Sequence, residues 1–192
     1  MSSKDPPRAV LDVDIIYSRV LHELLGRTAR RLRLLDLFWS DELLAEATNS
    51  LVEKKGLSKD VAQRWVGYLP NHFPGGEVQI EEVLRTVDIS SLTSDPGDHH
   101  VCALAIASNA RYLFTHDHGY LHDGLGQHGI EVIAPDTFLA ATFDEQPRGM
   151  LEILELQAVH WAGGRPIEEL LAAIERAGAT VLANKARQAL SV

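Results

Sequence analysis

Short apolar runs alternate with stretches of helical period through most of the chain, and only helical periods follow after about residue 144. Residues 8–12, around Ala9-Val10-Leu11, predict a first strand, and Ile15, Ile16, Val20, Leu21 and Leu24 mark one face of the helical stretch that follows. Residues 35–39 predict a second strand. Ser40 suits the N-cap of a helix running to about Lys55, which Gly56 would end. Ser58 opens another helix, with Val61, Trp65 and Leu69 at four-residue spacing. Phe73-Pro74-Gly75-Gly76 is a loop, and residues 83–89 predict a strand.

Asp95-Pro96-Gly97-Asp98 opens the clearest helix. Asp95 fits the N-cap, Pro96 the first position, and Asp98 the third, where its charge suits the helix dipole. Val101, Cys102, Leu104, Ala105 and Ile106 predict that this helix is largely buried. Residues 112–115 and 130–133 predict two more strands, and Pro135 with Asp136 begins a short helix to about Phe143. Strands alternating with helices predict an α/β fold with a parallel sheet.

A seam falls near Asp144-Glu145-Gln146-Pro147-Arg148-Gly149, dividing residues 1–144 from a helical extension, 145–192. Helices are expected near 149–161, 166–176 and 180–189, with apolar positions at Leu151, Leu154 and Val159, then Ile167, Leu170, Leu171 and Ile174. About 45 residues make a poor core alone, so this extension is expected to dock on the α/β part or on a partner.

At 192 residues the chain can bury a substantial core. No apolar run approaches the roughly 18 residues of a membrane span, and the stretch Met1-Ser2-Ser3-Lys4-Asp5-Pro6 has no signal-peptide apolar core. Cys102 is the only cysteine, which excludes an internal disulfide and makes a reducing cytoplasm the expected location. The net charge of −9 argues against a general nucleic-acid coat. Its distribution is uneven, however. Residues 1–70 hold 11 Lys/Arg against 10 Asp/Glu, while residues 71–192 hold 7 against 17. Arg27, Arg30, Arg31 and Arg33 form a compact basic cluster, which is either a phosphate-binding rim or a solvated helix face.

Candidate chemistry rests on four acids, Asp12, Glu46, Asp98 and Asp117, each at or near the end of an expected element. Acids at the carboxyl ends of parallel strands face the crevice where open α/β sheets bind ligands. Carboxylates gathered there repel one another unless a cation joins them, and hard divalent ions take oxygen ligands. A metal-dependent reaction on phosphate is the expectation that follows.

Four local strings resemble the PIN-domain family of metal-dependent ribonucleases, and within it the bacterial VapC-type toxins. Val10-Leu11-Asp12-Val13-Asp14 resembles the family's opening strand and Asp-x-Asn element, with Asp14 where Asn is common. Trp39-Ser40-Asp41-Glu42-Leu43-Leu44-Ala45-Glu46 resembles the segment that delivers its glutamate. Asp95-Pro96-Gly97-Asp98, followed by Ala103, Ala105 and Ala107, is the third. Tyr112-Leu113-Phe114-Thr115-His116-Asp117 is similar to the family's strand ending in Thr-x-Asp. The order and intervals match over residues 8 to about 143. The resemblance implies a PIN-like three-layer α/β/α sandwich with a mainly parallel sheet, carrying a C-terminal helical extension of the kind found in a subset of VapC-like proteins. It implies that Asp12, Glu46, Asp98 and Asp117 bind Mg²⁺ or Mn²⁺, and that Thr115 shapes the site. It further implies endoribonuclease activity leaving 5′-phosphate and 3′-hydroxyl ends, a role as toxin of a type II toxin–antitoxin pair, a cognate antitoxin partner and a homodimer. Arg30 and Arg31 are the expected RNA contacts.

Two other readings stand beside this one. A PIN-like chain with an inactive site would be a binding or scaffold module. Alternatively, His116, His118, His122 and His128, with Asp117 and the nearby His99-His100 pair, offer donors for a zinc-dependent hydrolase, although no His-Glu-x-x-His string or cysteine clamp accompanies them. Gly124-Leu125-Gly126 lacks the spacing of a phosphate loop, and no nucleophile-elbow string is present.

Overall fold

The computed structural model describes residues 5–191, leaving Met1 to Lys4 and Val192 outside. The chain begins with β1 (Arg8–Leu11), α1 (Val13–Tyr17), α2 (Arg19–Leu32) and β2 (Asp36–Phe38). Then come α3 (Asp41–Lys55), α4 (Lys59–Val66), α5 (Tyr68–His72), α6 (Glu81–Thr86) and α7 (His99–Ala107). The next elements are β3 (Tyr112–Phe114), α8 (His122–Gln127), β4 (Glu131–Ile133) and α9 (Pro135–Glu145). Three helices end it: α10 (Pro147–His160), α11 (Ile167–Arg176) and α12 (Thr180–Leu190).

The protein is an α/β fold built on a four-stranded, all-parallel sheet of order β2-β1-β3-β4. Parallel strands buried on both faces need continuous apolar runs, and Ala9, Val10, Leu11, Leu113 and Phe114 are accordingly buried. The connection from β1 to β2 steps one way across the sheet, and that from β2 to β3 steps back past β1. Right-handed crossovers then put the two sets of linking helices on opposite faces, consistent with three α/β/α layers. The reversal makes the β1–β3 boundary the topological switch point, the place where such sheets bind ligands.

Local signals fix several element ends. Ser40 caps α3 by accepting the Leu43 N–H, and Gly56 closes that helix in the left-handed conformation at φ +66°. Ser58 caps α4 in the same way through the Val61 N–H. Gly76 lies so close to the Leu37 carbonyl that a Cβ would overlap it, which lets the 73–76 loop pair with Trp39 at the sheet edge.

The strand expected over residues 83–89 is instead α6 and a 3₁₀ turn over Ile89–Ser91. Val83 and Val87 are half-buried four residues apart, a helical spacing. Glu81 and Glu82 occupy the first turn, where the dipole favours them.

The C-terminal helices pack directly on the α/β part. Only Gln146 separates α9 from α10. The α10 helix lies on α2, where Gln157 Nε2 donates to the Val20 carbonyl at 3.0 Å and Gly149 meets Leu32. Asp136 of α9 caps α12, accepting the Val181 and Leu182 N–H groups at 2.9 Å each. Ile153, Leu154, Leu170, Leu171, Ile174 and Leu182 belong to the same buried cluster as Val10 and Leu21. Val159, expected on the apolar face, is 67% exposed. Among the described residues, no helix is long and apolar enough to cross a membrane.

Candidate active site

The site forms where β1 and β3 end side by side. The Asp12 N–H continues the ladder to the Phe114 carbonyl at 3.0 Å, so the residues just past both strands are held together. Asp12 is only 5% exposed and caps α1, its Oδ1 accepting the Val13 N–H at 2.6 Å. The Thr115 hydroxyl donates to Asp12 Oδ2 at 2.7 Å and accepts the Asp117 N–H at 2.9 Å. Asp117 Oδ1 then accepts the Gly119 N–H at 2.7 Å, closing an Asx turn that sets the carboxylate's direction.

Asp98 arrives from the other side of this loop. Ser94 N–H donates to the Gly119 carbonyl at 2.9 Å, and Thr93 bridges to Tyr120, bringing the 93–98 segment beside 117–120. Buried Thr93 donates toward Asp98 Oδ2 at 3.3 Å. Asp95 accepts the Gly97 N–H at 2.8 Å and so shapes the turn that presents Asp98. Exposed Glu46, on α3, stands at the rim with Oε2 3.0 Å from His100 Nε2 of α7.

The electrostatics register this gathering. Burial first, then the neighbouring Asp14, pushes the Asp12 carboxyl up to about 7. Burial also raises Asp98, followed by the charges of Asp95, Asp117 and Glu46. Tyr120 is fully buried between the two groups, its phenol pushed upward by burial and then by Asp12 and Asp98. Asp98 therefore feels Asp117 and Glu46, while Asp12 is tied to the Asp117 loop through Thr115 and shares Tyr120 with Asp98.

Arg30 and Arg31 are not brought to the acids. The α2 helix ends just before β2 begins, so its last turn lies toward the amino ends of the strands, opposite the edge that carries Asp12 and Asp117.

Two participants, Thr93 and Tyr120, escape notice in the sequence, and Asp14 and His100 take parts that the sequence reading does not give them. Asp14 Oδ2 accepts the His116 N–H at 3.0 Å and lies 3.1 Å from His116 Nδ1. Its place two residues after Asp12 was the one available signal. Nothing local marks Thr93 or Tyr120, whose roles come from pairing with each other. Gly178, at φ +94° between α11 and α12, lies so near His116 that a Cβ would stand 2.8 Å from Nε2. The C-terminal helices thus reach the loop that carries Asp117.

The donor chemistry suits a hard cation, since carboxylate oxygens predominate. As the side chains stand, no group of three or more His, Cys, Asp or Glu among the described residues closes on one ion position. At the cluster Asp14 Oδ1 is buried without a hydrogen-bond partner, while the buried Tyr120 hydroxyl is turned toward the Asp12 carboxylate. An orphaned buried oxygen beside excess negative charge is one that a hydrated divalent ion can satisfy. The residues suit such an ion in kind, but their side chains do not converge on one position. Cys102 lies buried beneath, and its thiol is pushed up to about 12 by burial and then by Asp98 and Asp12, leaving it unreactive.

No protein-family model, curated protein or solved structure matches the chain.

Proposed function

We propose that the protein is a PIN-like, Mg²⁺- or Mn²⁺-dependent endoribonuclease, acting as the toxin of a type II toxin–antitoxin pair. The observation that carries the catalytic reading is the Thr115-tied Asp12 at the switch point, with Asp98 and Asp117 beside it. The biological role rests on the four sequence strings that resemble VapC-type toxins.

Asp12, Asp98 and Asp117 would hold the ion, with Glu46 joining once freed from His100. When bound, the ion lowers the pKa of a water and stabilises charge on the phosphate oxygens. Thr115 holds Asp12 in one orientation, and the Asx turn does the same for Asp117. Each of these carboxylate oxygens keeps a lone pair after its hydrogen bond. The carboxylates serve as ligands and orient water rather than carry protons. An antitoxin and a second copy of the chain would be the protein partners.

The test is cleavage of a 5′-labelled structured RNA by the purified full-length protein. Cleavage with Mg²⁺ or Mn²⁺, loss with a chelator, and products bearing 5′-phosphates are expected. Activity restored by zinc but by neither of the other ions would favour the histidine-based hydrolase. No cleavage with any of the three would favour a binding module.

A further inference from the structure

A second concentration of chemistry lies on the face formed by α2, α4 and α5. Two clefts of about 430 and 450 Å³ adjoin there, sharing Glu23, Tyr68 and His72. Arg19 and Arg64 line the first, while Arg27, Arg30 and Arg31 line the second, and Leu156 of α10 closes one wall. Glu23 is the only acid lining either cleft among the described residues, in a chain whose net charge is −9. It is already shared, 2.8 Å from Arg19 and 3.8 Å from Arg27. Five arginines around two adjoining clefts, facing one acid, make a positive potential that favours an anion.

The floor of the first cleft supplies a second, independent observation. His22 is completely buried, and neither ring nitrogen has a hydrogen-bond partner. Burial, then His72, lowers its pKa to about 3, so the ring is neutral and offers one donor and one acceptor. Arg27 Nε is likewise buried and unpartnered. Leaving such groups unsatisfied destabilises the fold unless a ligand or water supplies their partners. Between the clefts stands an aromatic pair, Tyr68 and His72, stacked at 4.2 Å, with Tyr68 edge-on to His22 at 5.1 Å. Gly26 makes this possible, because a Cβ there would overlap the Tyr68 ring.

We propose that this double cleft binds a nucleotide, with phosphate on Arg27, Arg30 and Arg31 and the base or ribose against Tyr68, His72 and His22. Guanidinium groups pair with phosphate oxygens in bidentate fashion. Aromatic faces stack on any base. A neutral imidazole matches a ribose hydroxyl or a base edge, each of which both donates and accepts. An acidic peptide would use the arginines but leave His22 and the stacked pair idle. The size of each cleft is that of ordinary small-molecule sites. The nucleotide is either free or part of an RNA strand, and the assignment does not depend on the acid cluster being a nuclease.

Calorimetric titration of the full-length protein with ADP, and separately with a short oligouridylate, tests this. Saturable binding of either probe is expected, weakened about tenfold or more in Arg30→Ala and Arg31→Ala, as for loss of one charge-assisted bond. These two arginines are exposed, so the variants keep the fold. Asp117→Asn, which addresses only the acid cluster, should leave ADP binding unchanged. ADP displaced by the oligonucleotide, or oligonucleotide binding alone with the same arginine dependence, assigns the site to a strand. ADP binding that the oligonucleotide does not displace assigns it to a free nucleotide. No binding of either probe at millimolar concentration, or affinity identical in the arginine variants, overturns the proposal.

Discussion

Thr115 joins Asp12 across 103 residues of sequence, its hydroxyl donating to the buried carboxylate at 2.7 Å. This bond lowers the Asp12 pKa against the larger upward push of burial. Thr115→Val keeps the shape but removes the donor. It should destabilise the protein by about 1–3 kcal/mol, measured by urea denaturation, because a buried carboxylate loses its partner. It should also slow RNA cleavage, while an unchanged rate would make Thr115 a purely structural residue.

The acids are expected to trade stability for function. Asp98→Asn and Asp117→Asn should abolish metal-dependent cleavage. Neither should destabilise the fold in the absence of divalent ions, and Asp117→Asn should relieve the charge that helps raise Asp98. A variant that cleaves at the wild-type rate excludes its residue from the site.

Stability should fall as pH rises in metal-free buffer. The folded-state pKa of Asp12 is about 7, above the 3.8 of an ordinary aspartate. Between these values the folded protein binds the proton more tightly than the unfolded chain does, so the slope of unfolding free energy with pH is negative. The protonated form's contribution is complete below about pH 4 and is lost as pH climbs through about 7, an effect on the order of a few kcal/mol. Asp14 and Asp98 shift in the same direction. Thermal melts from pH 4 to 8 should show this decline, and Asp12→Asn should flatten it. Mg²⁺ should restore more stability at pH 8 than at pH 5, since it binds the ionised carboxylates.

Much of this fold was legible because its signals are local. Ser40 and Ser58 cap helices with their own side chains, and Gly56 ends one at positive φ, so a few adjacent residues suffice. The 83–89 segment misled because β-branched Val83, Thr86 and Val87 suit a strand, yet the available partner was α7, on which a helix packs. At the candidate site, strand ends advertise Asp12 and Asp117. The parts contributed by Thr93, His100 and Tyr120 depend on contacts between distant segments, which no local pattern encodes.

The C-terminal helices should prove inseparable from the rest. Truncation after Asp144 strips α2 and α9 of the helices packed on them, including Ile153 and Leu154 of the core and the α12 turn that Asp136 caps. Each such buried side chain contributes about 1.5–3 kcal/mol, against a typical total stability of about 5–15 kcal/mol. The truncated protein should be insoluble or lack a cooperative melt. A soluble, cooperatively folding 1–144 fragment would show that the extension is dispensable.

The sheet order also sets a schedule. During synthesis Asp12 and Glu46 appear early, but β1 has only β2 beside it until β3 is made, and Thr115 follows Asp12 by 103 residues. Parallel pairing between such distant strands is slow to form. The growing chain therefore carries its first acids apart from the last, and the turn at Gly178, which leans on His116, is made later still. Until the residues around Gly178 have been made, the loop that carries Asp117 lacks the neighbour it has in the finished fold.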